Sequence, residues 1–193
     1  MRPRVSFFAL LALYAALAFA QADASLVAKL RQGGYVLYMR HTSTDFSQND
    51  ARMTSYEDCA NQRNLTDKGR AEARELGTHV KRLGIPIGPV YASPFCRTME
   101  TARLAFGRAE PMTEARGGPN ASDAKRYEPL RQLMTKTPPA GQNAVIASHG
   151  NPFHALFGPP YLAEGEIAVL QPDAASGPLI VGRIRIGDWQ SLH

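Results

Sequence analysis

Two short apolar runs that each end on a histidine constrain this chain more than anything else in it. Tyr35-Val36-Leu37-Tyr38-Met39 closes on Arg40-His41, and Ala144-Val145-Ile146-Ala147 closes on Ser148-His149-Gly150. Runs of this length, rich in Val, Ile, Leu and Tyr and flanked by glycine, read as buried strands. In an open α/β sheet, ligand chemistry gathers outside the carboxyl ends of parallel strands. If the two runs are neighbours, both imidazoles reach one crevice.

The rest of the chain supplies the helices such a sheet needs. Residues 42–64 are polar and aperiodic and read as a long loop. Thr66 is a good N-cap with Asp67 behind it, and Ala73, Leu76, Val80 and Leu83 recur at helical spacing until Gly84 and Pro86 stop the run. A strand at 90–92 leads through Ser93-Pro94 into a second helix over 95–106, ended by Gly107. Residues 108–142 form a surface excursion holding one helix, Asp123 to Met134, interrupted at Pro129. Strand 143–148, a short helix from Pro152, and strands 166–170 and 179–186 follow. Strands alternating with helices predict a three-layer α/β/α sandwich with a mainly parallel central sheet.

The N-terminus is a separate matter. Arg2 and Arg4 precede an almost wholly apolar Val5–Phe19, and Ala18-Phe19-Ala20 is a small-x-small cleavage pattern. The run is short for a spanning helix. We read 1–20 as a signal peptide, 21–193 as one domain, and the destination as periplasmic or secreted, with no stable membrane insertion after cleavage. Losing the leader lowers the formal charge from +5 to +3, too mild a balance to argue for nucleic acid, though it suits a small anionic substrate. Cys59 and Cys96 are the two cysteines of the chain. In an oxidising compartment an even count favours one disulfide, which would tie residues 59–60 to Arg97.

Four segments in order carry a family resemblance. Arg40-His41-Thr42-Ser43-Thr44 resembles the Arg-His-Gly-x-Ser/Thr signature of the histidine phosphatase superfamily, the phosphoglycerate-mutase-like fold. Asn64-Leu65-Thr66-Asp67-Lys68-Gly69-Arg70 is similar to its Leu-Thr-x-x-Gly helix start, Ser93–Ala102 to its Ser-Pro-x-x-Arg-x-x-x-Thr-Ala block, and Ser148-His149-Gly150-Asn151 to its second-histidine loop. The resemblance implies a histidine acid phosphatase-type phosphoric ester hydrolase acting on small phosphorylated substrates. It makes His41 the nucleophile that becomes phosphohistidine, and Arg40, Arg97 and His149 the phosphate pocket. Gly150 would add a backbone N–H, and Thr44 and Asn151 would contact substrate. Physical chemistry agrees: a neutral imidazole is nucleophilic near neutral pH, and two guanidinium forks match phosphate oxygens.

The sequence departs from the family in two places. Thr42 replaces the glycine after the nucleophile, and Asn151 stands where some relatives place a carboxylate. The acid that protonates the leaving group must then come from Glu110, Glu114, Glu128, Glu164 or Glu166, and Glu166 is the named candidate. Without such an acid, anhydrides and aryl phosphates should be far better substrates than alkyl monoesters. Rival chemistries fare worse. Neither cysteine has arginine six positions on, as a cysteine phosphatase needs, and no Gly-x-Ser-x-Gly or Walker loop occurs. A metal held by His41, Asp45 and His149 would sit beside two arginines, so no metal or other cofactor is implied. A catalytically silent member that binds a phosphorylated ligand, and a phosphomutase, are the alternative functions. Oligomeric state is not legible.

Overall fold

Strand β1 (Val36–Arg40) runs through the middle of the molecule because both of its faces are apolar. Leu37 and Met39 point into one core and Val36 and Tyr38 into another, all of them 0–1 % exposed. The computed structural model describes residues 24–117, 123 and 125–193; the leader expected at 1–20 lies outside the described residues. The described elements are helix α1 (24–32), β1, α2 (Asp67–Arg82), β2 (Ile87–Ala92), α3 (Cys96–Phe106), β3 (Glu110–Pro111), α4 (Glu128–Met134), β4 (Asn143–Ser148), α5 (Gly150–Phe157), β5 (Ile167–Gln171) and β6 (Leu179–Ile184).

One six-stranded sheet has the order β3-β2-β4-β1-β5-β6. The first four strands are mutually parallel, β5 runs antiparallel to them beside β1, and β6 pairs antiparallel with β5 at the edge. Side chains of α1, α2 and α3 (Val27, Leu30, Leu76, Val80, Met99, Ala102) fill the core on one face. On the other face lie Leu130, Leu133 and Met134 of α4 and Phe153 of α5. This is the expected three-layer, mainly parallel sandwich.

Local chemistry explains the helix ends. The Thr66 side chain accepts the Gly69 N–H at 3.0 Å, an N-cap as read from sequence. Gly69 itself lies against the loop that follows His41: a Cβ there would come within 2.0 Å of the Ser43 carbonyl oxygen. Helix α4 corrects one expectation. It begins at Glu128, with Pro129 in its first turn rather than breaking a longer helix. Proline fits there because its missing N–H has no intrahelical partner in any case.

Candidate active site

Register delivers the two histidines. Strands β1 and β4 pair in parallel from Val36↔Ala144 to Arg40↔Ser148, so His41 and His149 leave the sheet side by side. The His41 N–H donates to the Ser148 carbonyl at 3.1 Å, continuing the ladder one step past the strands. The two rings meet edge to face, with centroids 5.6 Å apart.

His41 is 1 % exposed. Its Nδ1 lies 2.9 Å from the Thr42 carbonyl oxygen. A carbonyl only accepts, so Nδ1 carries the proton and Nε2 keeps its lone pair. Burial, helped by the charges of Arg97, Arg40 and Arg63, pushes the His41 pKa down to about 3, against the upward pull of the Thr42 carbonyl. His149 caps the start of α5 and places Nε2 2.8 Å from the Ser93 hydroxyl. Burial and the same arginines hold its pKa well below the ordinary histidine value. Both rings are therefore neutral at neutral pH.

The two arginines are held in parallel ways. Arg97 donates from Nη1 and Nη2 to the two carboxylate oxygens of Asp50, at 2.9 and 3.1 Å, and from Nη1 to the Arg63 carbonyl at 3.2 Å. Arg40 donates from Nη1 to the Leu162 carbonyl at 2.8 Å and from Nη2 to Glu164 at 3.5 Å. In each case one acid and one carbonyl occupy the outer edges of the guanidinium. In each case Nε is buried and has no partner. A buried, charged donor without an acceptor is costly. The Nε edge of a guanidinium is also the side-on fork that binds phosphoryl oxygens. The donor set thus fits an anion.

These residues line a pocket of about 260 Å³, with Gln48, Asn49, Asp50, Arg63, Gly150, Asn151 and Tyr161 completing the wall. Gly150 opens α5, where backbone N–H groups lack intrahelical partners and the dipole favours an anion. Its missing side chain is required, because a Cβ would come within 2.1 Å of the Tyr161 ring. The Tyr161 hydroxyl donates to the Asn151 side-chain oxygen, and its ring lies 5.3 Å from the Arg40 guanidinium. Arg63 stacks on Phe46 at 4.9 Å.

Of the sequence-expected residues, His41, Arg40, Arg97, His149, Gly150 and Asn151 all line this pocket. Thr44 does not. Its hydroxyl donates to Glu164 at 2.7 Å, so it supports an acid beside His41 Nδ1 instead of lining the pocket. Glu166 is also displaced from its expected role. It accepts from Arg183 at 2.7 Å and from the Ala163 N–H at 2.8 Å. Burial raises its pKa, but those two donors outweigh it and hold the carboxyl below the usual glutamate value. Asp45, the third member of the metal alternative, is half-buried and accepts from the N–H and hydroxyl of Ser47.

Sequence reasoning missed Asp50, Arg63 and Tyr161. The one pointer was the expected disulfide, which is present between Cys59 and Cys96 with Cα atoms 5.7 Å apart. It pins loop 42–64 against the start of α3. The Cys96 N–H donating to the Gln62 side chain at 2.9 Å reinforces that contact.

Comparison with known proteins agrees with this fold. The sequence model of the Histidine phosphatase superfamily (branch 1) matches residues 36–118. No curated protein matches the chain. Among solved structures, the protein histidine phosphatase SixA complexed with tungstate aligns with a TM-score of 0.56 at 20 % identity, covering 80 % of this chain and 98 % of that one. YhfR of Bacillus stearothermophilus aligns at 0.52 and 18 %, covering 79 % and 98 %. A phosphoserine phosphatase mutant of Entamoeba histolytica, in complex with phosphoserine, aligns at 0.53 and 13 %, covering 77 % and 95 %. The likeness to these structures shows that the chain has the phosphoglycerate-mutase-like fold, and the family model spans less than half of the chain.

Proposed function

We propose that this protein is an exported phosphohydrolase that works through a phosphohistidine on His41. The carrying observation is the state of that ring: Nδ1 is tied to a backbone carbonyl and Nε2 is free, between two arginines whose Nε edges lack acceptors. A substrate phosphoryl group accepts from Arg40, Arg97 and the Gly150 N–H, and Nε2 attacks phosphorus as the leaving group departs. Water then attacks the phosphohistidine and the N–P bond breaks. The work asked of the protein is positioning and charge stabilisation. The pocket's size suits small phosphorylated ligands such as the phosphoserine bound by the Entamoeba neighbour. Export rests on the basic-apolar leader and on a chain whose two cysteines are paired.

The test is direct. Brief incubation of mature protein with labelled aryl phosphate and a denaturing quench should give an acid-labile, base-stable label on the peptide holding residue 41, absent from His41→Ala. A label that survives acid, or maps elsewhere, removes the mechanism. Tight phosphate binding with no label and no turnover would mark a silent ligand-binding member instead.

A further inference from the structure

Hydrolysis of an alkyl phosphate needs a proton for the departing oxygen, so the acids around the pocket decide what the enzyme can cleave. Asp50 supplies the carboxylate among the lining residues. Both of its oxygens face donors: Oδ1 accepts from Arg97 Nη1 and from the Arg63 N–H at 2.9 Å, and Oδ2 accepts from Arg97 Nη2. Asp50 is thus taken up in a two-pronged, charge-assisted pair with Arg97. Because that grip uses the terminal nitrogens, a phosphoryl group on the Nε edge does not have to displace it.

Among the described residues, three further acids near the site are paired with other groups. Glu164 holds Arg40 and the Thr44 hydroxyl, and it lies 3.8 Å from Nδ1, the proton-bearing nitrogen of His41 rather than the attacking one. Glu166 is bound by Arg183. Glu72 accepts the Ser43 N–H and pairs with Lys68. Glu110, Glu114 and Glu128, the other sequence candidates, are not among the pocket-lining residues. The hydroxyl of Tyr161 gives its proton to Asn151.

We propose that Asp50 is a clamp that positions Arg97 and not a proton donor, so that the site serves phosphoryl donors whose leaving group departs as a stable anion: phosphoanhydrides, acyl phosphates and aryl esters. This rests on the phosphohistidine reading above and narrows it to a substrate class. The step balances without a protein acid. His41 Nε2 forms the N–P bond, the P–O bond to the leaving group breaks, and that oxygen keeps the electron pair. In the second half water forms the new P–O bond and the N–P pair returns to Nε2. Both protons of the water leave on the product as dihydrogen phosphate.

The experiment is a leaving-group series, using 4-nitrophenyl phosphate, phenyl phosphate, acetyl phosphate and glycerol phosphate as probes. It reads kcat/KM, which reports the first step whichever step limits turnover. Rates should fall steeply as the leaving group becomes more basic, with glycerol phosphate about 10²–10⁴-fold below the nitrophenyl ester, the factor a positioned acid would otherwise supply. Asp50→Asn should weaken all probes by a common factor, mainly through KM, with Asp50→Glu restoring part of it. An alkyl ester within tenfold of the aryl ester, or an Asp50→Asn loss confined to the alkyl ester, overturns the proposal. If His41 labels and the series is flat, this inference alone falls. If His41 never labels, the reading beneath it falls as well.

Discussion

The pocket has two halves made by different means. Arg40, His41 and His149 are placed by the β1–β4 ladder, whose hydrogen bonds continue through His41 N–H to Ser148. Asp50 and Arg63 come from a loop with almost no regular structure, fastened to Arg97 and α3 by an ion pair, a side-chain bond and a disulfide. The sheet half can hardly shift without unpairing central strands. The loop half can shift whenever its fastenings fail. His41 thus lies on the rigid side, and the setting of Arg97 depends on the removable side.

The strongest attack on this contrast is at the shared phosphoryl site. Alanine at His41, Arg40, Arg97 or His149 should each cost about 10³-fold or more in kcat/KM, and doubles little more than the worse single, because they hold one group together. Steady-state kinetics on the six double variants checks this. Clean additivity for any pair involving Arg97 would detach the loop half from the sheet half.

Breaking the disulfide should act mainly on the loop half. The bridge closes a separation of 37 residues, so Cys59→Ser with Cys96→Ser should lose about 4 kcal/mol on the chain-entropy model, roughly 10 °C in melting temperature. Below that melting temperature KM should rise several-fold while labelling of His41 persists. Calorimetry and labelling on one sample read both.

Acid should strain the sheet half. His41 has a folded pKa of about 3 and His149 one shifted the same way, both below the ordinary value of 6.5. As pH falls through 6.5 the unfolded chain binds protons that the folded protein refuses. Stability should therefore drop between about pH 6.5 and 3, by on the order of 1 kcal/mol per pH unit for His41. Urea unfolding across that range should show the slope flattened in His41→Asn. The His41 limb of kcat/KM, which reports the folded enzyme, should by contrast lie well below pH 6.5, toward 3.

The smallest effect is expected at the rim. Phe46 is 70 % exposed and lies under Arg63. Losing an exposed cation–π contact of about 0.5–1 kcal/mol should raise KM about two- to fivefold in Phe46→Ala and leave kcat alone.

How much of this was legible in sequence follows the same divide. The strand ends, the Thr66 cap and the two histidines could be read because periodicity and spacing encode them, and register did the rest. Asp50 and Arg63 could not be, since an aperiodic loop gives no signal of which residue folds back onto α3. Thr44 and Glu166 went astray for a related reason. Both lie close to His41 in sequence or topology, yet their polar atoms were already claimed, by Glu164 in one case and by Arg183 in the other. Competition for hydrogen-bond partners is a three-dimensional matter that residue order does not record.

Gly69 carries a last consequence. The backbone just past His41 rests directly on it, with no room for a single added carbon. A survey of every substitution along the chain, scored by turnover, would mark position 69 as intolerant alongside the histidines. No atom of that residue lines the pocket. Part of the site's accuracy is thus kept where the chain has nothing to show: an empty space in the first turn of a helix, shaped to the underside of the loop it supports.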